Sequence, residues 1–299
     1  MDIAGNRSAN PRVYVLLPVH NRRVITEQYV HGLAAQTYRD VKLILIDDGS
    51  TDGTSEMVLT VLPDTAVLRG RGDWWWGGGL QQGLDWLARE SVDDDALVLL
   101  TNDDLTIGPE FIERAVEVMR HRSRTLLLAR VRNPADATIT DPARHADLTR
   151  LTFEAATSDE TVNCLPTHGL FARWRDLKEI GRFHPRLLPH YLSDYEYTIR
   201  AHRLGFQLET SAEVLVELME GTTGFHVIAE RHFGRFVRKL FSIKAPANPI
   251  YWSSFIVLAC PARYWVRHLS VLWFNSLRLV AIEFVRSLKH ARADRTLRL

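Results

Sequence analysis

Two clusters of carboxylates stand where short apolar runs give out. Asp47-Asp48-Gly49-Ser50-Thr51-Asp52-Gly53 ends the run VKLILI, and Thr101-Asn102-Asp103-Asp104 ends ALVLL. Acids gathered at neighbouring chain ends repel one another unless a cation sits among them, and oxygen ligands of this kind suit Mg²⁺ or Mn²⁺. The same residue types also cap turns and helix N-termini, a role that explains either cluster alone better than both together. A third acidic group, Ser193-Asp194-Tyr195-Glu196, opens a helical stretch. One of its carboxylates could take the proton of an acceptor hydroxyl as a general base. Alternatively, Ser193 or Asp194 caps the helix and Glu196 meets its dipole.

These loops need a frame that brings them to one edge. Residues 12–17, 41–47, 66–68, 96–100 and 125–131 read as buried strands rich in β-branched residues and leucine. Helical spacing lies between and after them, over residues 24–36, 80–90, 109–121, 174–180 and 194–204. The alternation predicts an α/β fold, with a mostly parallel sheet covered by helices on both faces. Ligands of such sheets bind beyond the carboxyl ends of the strands, and Pro18-Val19-His20-Asn21-Arg22 ends the first strand there as well. Trp74-Trp75-Trp76 before Gly77–Gly79 offers aromatic surface and close backbone approach to a ligand. Consecutive residues point different ways, so at least one of these tryptophans is expected in the core. Residues 133–163 are polar and loosely patterned, as a hairpin or an irregular insertion would be.

Taken in order, PVHNR, IDDGSTDGT, TNDDL and LPHYLSDYEYTIRAHRLGF resemble family 2 glycosyltransferases of the GT-A fold, over roughly residues 12–217. GDWWWGGGLQQGLDW is similar to a segment of bacterial members that build surface polysaccharides, some of them rhamnosyltransferases. The resemblance implies a Rossmann-like GT-A catalytic domain over residues 1–230, followed by a helical region over 231–299. It implies an inverting, metal-dependent enzyme that moves a sugar from a nucleotide-sugar donor to a hydroxyl of a glycan or glycolipid acceptor. Pro18, His20, Asn21, Asp48, Arg71, Gly79, Gln82 and Asn102 would line the donor pocket, with Asp48 accepting from the nucleotide base. Asn102-Asp103-Asp104 stands at the DxD-type metal motif without being a literal D-x-D; Asp103 is the favoured ligand, Asp104 is close behind, and His226 is a later one. Asp194 matches the catalytic base and Glu196 the second acid. His168 and His190 fall near loops that touch donor or acceptor.

The remainder of the chain argues from charge. Among 299 residues, Lys+Arg 37 nearly balances Asp+Glu 36, yet residues 231–299 hold 13 basic and 2 acidic side chains, leaving 24 and 34 for the rest. An acidic body with a basic tail points to an anionic partner. Residues 264–290 have helical spacing, with Arg267, His268, Asn275, Arg278, Glu283, Arg286, Lys289 and His290 on one half and Trp265, Leu269, Leu272, Trp273 and Leu277 on the other. A basic amphipathic helix with aromatics suits a membrane surface or an interface with a second copy of the chain. Its apolar half argues against nucleic acid. No run of 18 uncharged apolar residues occurs, so a spanning helix is not expected. The start, MDIAGNRSAN, lacks a basic-then-apolar export pattern, and two cysteines fit a reducing compartment. The expected location is cytoplasmic, peripheral on the inner face of the membrane. A nicotinamide dehydrogenase is disfavoured because no G-x-G-x-x-G follows the first strand. An inactive scaffold that binds partners through its tail is the alternative, and Asp48, Asp103, Asp104 and Asp194 together stand against it.

Overall fold

The computed structural model describes residues 10–219, 230 and 232–296. In chain order the elements are β1 (Val13–Val19), α1 (Arg23–Ala34), β2 (Val41–Asp47), α2 (Thr54–Val61), β3 (Ala66–Arg69) and α3 (Trp75–Arg89). Next come β4 (Leu97–Leu100), β5 (Leu105–Ile107), α4 (Phe111–Arg120), β6 (Thr125–Arg132), β7 (Ile139–Thr140), β8 (Arg144–Asp147) and β9 (Thr152–Ala155). The chain continues through β10 (Leu170–Arg173), α5 (Trp174–Ile180), α6 (Ser193–Arg203), β11 (Gln207–Leu218), α7 (Phe233–Leu240), α8 (Pro249–Ala259) and α9 (Trp265–Thr296).

Among the described residues nine strands form one sheet in the order β3-β2-β1-β4-β10-β6-β11-β5, with β7 paired to β6. β3, β2, β1 and β4 run parallel, β6 runs parallel to β11, and β10 lies antiparallel between β4 and β6. The parallel strands read as continuous apolar runs because both faces are covered. Leu17, Leu45 and Leu99 turn to a core under α1, α2 and α4, whereas Leu16, Ile46 and Leu100 turn to a second core under α3, α5 and α6. Each fully buried aliphatic side chain of this kind contributes about 1.5–3 kcal/mol. Pro18, which has no N–H, stands past the last pairing of β1 with β4, Leu16 with Leu100, where no bond to β4 is lost.

The α/β architecture is as expected, and the insertion does contain a hairpin, β8–β9. Three strands escaped the sequence reading for identifiable reasons. β5 has three residues, β10 is a four-residue run that passes directly into α5, and β11 begins with polar QLETS and shifts register between Ser211 and Leu215. α3 starts five residues earlier than its spacing suggests and runs through Gly77–Gly79.

The tail is not detached from the body. Phe255 and Ala259 of α8 share a core with Cys164 ahead of β10, Leu188 on the approach to α6 and Ile199 of α6, so the segment after the expected boundary at residue 230 packs on the segment before it. The two halves predicted for α9 are not how it sits. The side turned to the protein carries His268, whose Nε2 donates to Leu148 O at 3.0 Å, together with Leu272, Ser276 and Glu283. Val266 (80% exposed), Phe274 (68%) and Leu277 (63%) point outward instead, interleaved with Arg267 and Arg278. The seam is set by contact with α7 and α8, including Phe233 against Phe284 and Trp273 Nε1 donating to Ser253 Oγ at 3.1 Å. By length and composition residues 262–288 are enough to cross a bilayer, contrary to the expectation from uncharged runs, because residues 268–285, between Arg267 and Arg286, carry only Arg278 and Glu283 as Asp, Glu, Lys or Arg.

Candidate active site

The C-terminal ends of β1 and β2 are locked to each other. His20 Nδ1 lies 2.6 Å from Asp48 O, Ser50 Oγ is 2.9 Å from Asn21 N, which donates to it, and Thr51 N donates to Asn21 Oδ1 at 2.8 Å. Two of the acids are local braces. Asp47 accepts from Ser50 N and Ser55 Oγ, and Asp52 accepts from the N–H groups of Arg23 and Thr54. Burial alone would raise the Asp52 carboxyl, but the Thr54 hydroxyl and these amides together outweigh it and hold the group below its ordinary range.

Asp48, expected to meet a nucleotide base, is engaged by its own chain. Its Oδ1 accepts from Gly72 N (2.8 Å) and Asp73 N (3.2 Å), and its Oδ2 from Trp74 N (2.8 Å) and Trp75 N (3.1 Å). This carboxylate therefore shapes the loop that carries Arg71 and the tryptophans. Arg71 itself is exposed beside the Asp48–Gly49 turn, since a Cβ on Gly49 would lie 3.0 Å from Arg71 C. Gly79 is buried under Pro18, at 3.2 Å from a Cβ to Pro18 Cβ, so these two expected pocket residues pack helix α3 on β1. Gln82 is half-buried one residue beyond Gln81, which accepts from Phe183 N.

The motif after β4 separates its two acids. Asp103 is buried and accepts from Thr26 Oγ1 (2.8 Å) and Arg22 Nε (3.0 Å) of the α1 end. Burial pushes its carboxyl up, and Arg22 and Thr26 work the other way. Arg22 Nη2 is 3.4 Å from Asp104 Oδ2. Asp104 also raises the proton affinity of His168, a ring kept neutral by burial at a pKa of about 4. Asp103 is thus committed to α1 through Thr26 and Arg22, and Asp104, also buried, is coupled to Arg22 and His168. Asn102 Oδ1 and His168 Nε2 are buried there without a hydrogen-bond partner. His226 lies outside the described residues; the last described residue before it, Met219, donates its N–H to Asp104 O at 3.0 Å.

Among the described residues no three His, Cys, Asp or Glu side chains are clustered into a metal cage. A Mg²⁺ or Mn²⁺ ion that travels with a diphosphate needs one or two protein oxygens and takes the rest from phosphate and water. Asp104 and the unpartnered Asn102 Oδ1 fit that donor set.

The opposite wall is the start of α6. Asp194 accepts from Tyr195 N at 2.9 Å, and burial pushes its carboxyl up to about 6. Glu196 is two residues on, about 200° around the helix, and points the other way. It is buried and paired with Arg200 (Nε–Oε1 2.8 Å, Nη2–Oε2 3.0 Å), whose guanidinium also donates to Ile180 O and Arg182 O. That pair ties α6 to α5 and turns Glu196, expected as the second acid, away from Asp194. α3 reaches this wall through Gly77 N, which donates to Pro189 O at 2.9 Å. Trp76 Nε1 donates to Thr167 Oγ1 at 3.2 Å, and Trp74 and Trp76 pack on the core, as expected for at least one of the three. Arg144 was invisible to sequence reading. It sits on the β8–β9 hairpin, and its charge is felt by His168, Cys164 and Tyr195 around Asp194. No signal short of the fold itself brings residue 144 to residue 194.

Comparison with known proteins follows the same lines. The sequence profile of "Glycosyl transferase family 2" matches residues 14–180. An uncharacterized glycosyltransferase of Haemophilus influenzae is 35% identical over 52 residues, 17% of this chain and 21% of that protein, so the chain spans about a fifth of the curated relative it matches. Among solved structures, a mannosyltransferase from Pyrobaculum calidifontis in complex with GDP-Man and Mn²⁺ is similar over 97% of this chain and 83% of that one, with TM-score 0.56 and 18% identity. S. aureus TarS 1–349 in complex with UDP-GlcNAc is similar over 93% and 88%, with TM-score 0.57 and 13% identity. At these identities the likeness is one of fold.

Proposed function

The chain belongs to glycosyl transferase family 2, and from that premise we propose that it is an inverting, metal-dependent enzyme with Asp194 as its base. The observation that carries this reading is the setting of Asp194. Burial sets its affinity for a proton near the level a base needs at neutral pH, against the backbone N–H groups of Tyr195 and of Asp194 itself. An acceptor hydroxyl placed on Asp194 gives up its proton to the carboxylate. Its oxygen forms a bond to the anomeric carbon while the bond from that carbon to the nucleotide diphosphate breaks on the opposite face. A divalent ion held by Asp104 and Asn102 would supply charge neutralisation to the departing diphosphate. His168, kept neutral beside Asp104, can hydrogen-bond there without adding a second positive charge. Arg22 balances Asp103 and Asp104 in the resting site. Mannosyl and N-acetylglucosaminyl nucleotides in the similar structures support a nucleotide-sugar donor.

The acceptor in this reading is a lipid-linked glycan of cell-surface polysaccharide synthesis, met at the inner face of the membrane. The outward face of α9 supports it, since Val266, Phe274 and Leu277 alternate with arginines that can snorkel to lipid headgroups. Contacts from His268 to Phe284 run about 24 Å along that helix against the body, which favours a helix lying on the surface over one that crosses it. The test is Asp194→Asn. It should abolish transfer while UDP, GDP or dTDP still binds with Mn²⁺ as in the wild type. Retained transfer would remove Asp194 as the base, and absence of nucleotide binding in a folded wild type would bring the scaffold reading forward.

A further inference from the structure

Trp75 is an aromatic residue with a backbone φ of 56°, a conformation held by the Asp48 carboxylate through the N–H groups of Gly72 to Trp75. The indole is thereby fixed half-buried against the ring of His190, 6.0 Å between centroids at 60°. Lys244 Nζ lies 5.8 Å from the centroid of the same indole. The lysine is exposed and, among the described residues, has no carboxylate partner. Its loop is rigid: Asn248 Nδ2 donates to Ser242 O (3.0 Å), Ala245 N donates to Ser242 O (3.1 Å), and Trp252 Nε1 donates to Pro246 O (2.9 Å). His190 Nδ1 is buried without a partner. Burial and the nearby Lys244 charge keep that ring neutral, at a pKa of about 4. A fixed cation, an unused ring nitrogen and an aromatic surface thus converge four residues ahead of Asp194.

We propose that Lys244, His190 and Trp75 form the subsite for a phosphate group of the acceptor, one that joins its sugar to an apolar chain. The inference rests on the reading of Asp194 as the base. Phosphate suits the corner because an ammonium is a point-charge phosphate binder and a neutral imidazole can donate one N–H beside it. The acceptor is favoured over the donor by position. His190 belongs to the loop that delivers Asp194, with Ser193 Oγ donating to His190 O at 2.7 Å, whereas the donor diphosphate belongs with Asp104. The apolar chain has a surface to follow, because α8 starts five residues after Lys244, exposes Ile250 and Val257, and packs on α9.

The test titrates the full chain with geranyl diphosphate, with geraniol, and with UDP, GDP and dTDP in the presence of Mn²⁺. Geranyl diphosphate should bind at least about tenfold tighter than geraniol, and Lys244→Ala should remove about that factor. Lys244→Arg should restore it, and nucleotide affinity should stay within about twofold in both variants. Equal binding of geraniol, or geranyl diphosphate binding unmoved by Lys244→Ala, overturns the subsite. Parallel loss of nucleotide binding assigns Lys244 to the donor and overturns it too. Prenyl diphosphate binding that depends on Lys244 in a wild type that binds no nucleotide would sink the transferase reading and leave the phosphate corner standing.

Discussion

Asp103 and Asp104 are adjacent in sequence, both buried, and share Arg22, but their other neighbours differ. Asp103 lies between Thr26 and Arg22, while Asp104 faces His168 and the loop ahead of β10. Asp104→Ala should abolish Mn²⁺-dependent nucleotide binding in calorimetry and cost less stability than Asp103→Ala, because its ion pair with Arg22 is the longer one, 3.4 Å against 2.9 Å. Asp103→Ala should cost about 2–3 kcal/mol in a denaturant titration, somewhat less than a fully enclosed pair because Arg22 keeps 30% of its side chain in water. Asp194 gives a pH signature. Its carboxyl is raised to about 6 by burial, so the rate should climb as pH rises through 6. The native state holds that proton more tightly than the unfolded chain, so the group stabilises the fold less as pH passes from the ordinary carboxylate range to above 6. Asp194→Asn should accordingly melt higher than the wild type at pH 8, with a smaller gap at pH 5. The acids themselves were legible in the sequence. Their division was not, because Asp103 against Asp104 and Asp194 against Glu196 are decided by partners 77 residues away for Asp103 and on the next helical turn for Glu196.

α3 joins the two halves of the cleft, and its glycines are what let it do so. A Cβ on Gly83 would come within 2.9 Å of Ile46 Cδ1 and Leu16 Cδ1, in the packed second core. A Cβ on Gly77 would come within 2.8 Å of Leu188 O, a backbone atom of the approach to Asp194. Both alanine variants should lose about 1–3 kcal/mol of stability by overpacking. Only Gly77→Ala should also lower kcat, because the atom it displaces belongs to the loop that sets Asp194; measuring turnover at a temperature well below both melting points separates the two effects. Periodicity located the body of α3 but not its first turn, since three consecutive glycines read as a loop until the strand they pack against is known. The buried strands β1, β2 and β4 were readable because sheets covered on both sides demand unbroken apolar runs. β11 was not, because much of it is half-buried or exposed and its pairing shifts midway.

At the scale of the whole molecule, α9 puts an apolar and arginine-bearing face outside the fold. Phe274→Glu combined with Leu277→Glu should release the protein from anionic vesicles in a sedimentation assay and leave nucleotide binding intact, since neither residue touches the cleft. Charge asymmetry and helical spacing announced this surface from sequence; which side of the helix faces out was set by α7 and α8, which no local pattern encodes.

One feature of the sheet reaches further. β6 pairs antiparallel with β10, which in turn pairs antiparallel with β4, so the chain leaves β6 at residue 132 and re-enters β10 at residue 170 on the same rim where Asp104 stands. Everything between, including Arg144 and Cys164, is an excursion whose two feet are planted side by side beside the reacting groups. Such a segment is pinned at a few points, by β7 on Val131 and Arg132 of β6 and by Ala143, Val162 and Leu165 in the second core, while most of the residues between these anchors stay exposed on that rim. Sequence drift in those exposed residues would reshape the rim beside Asp104 while the core anchors and the parallel strands β1, β2 and β4 stay as they are.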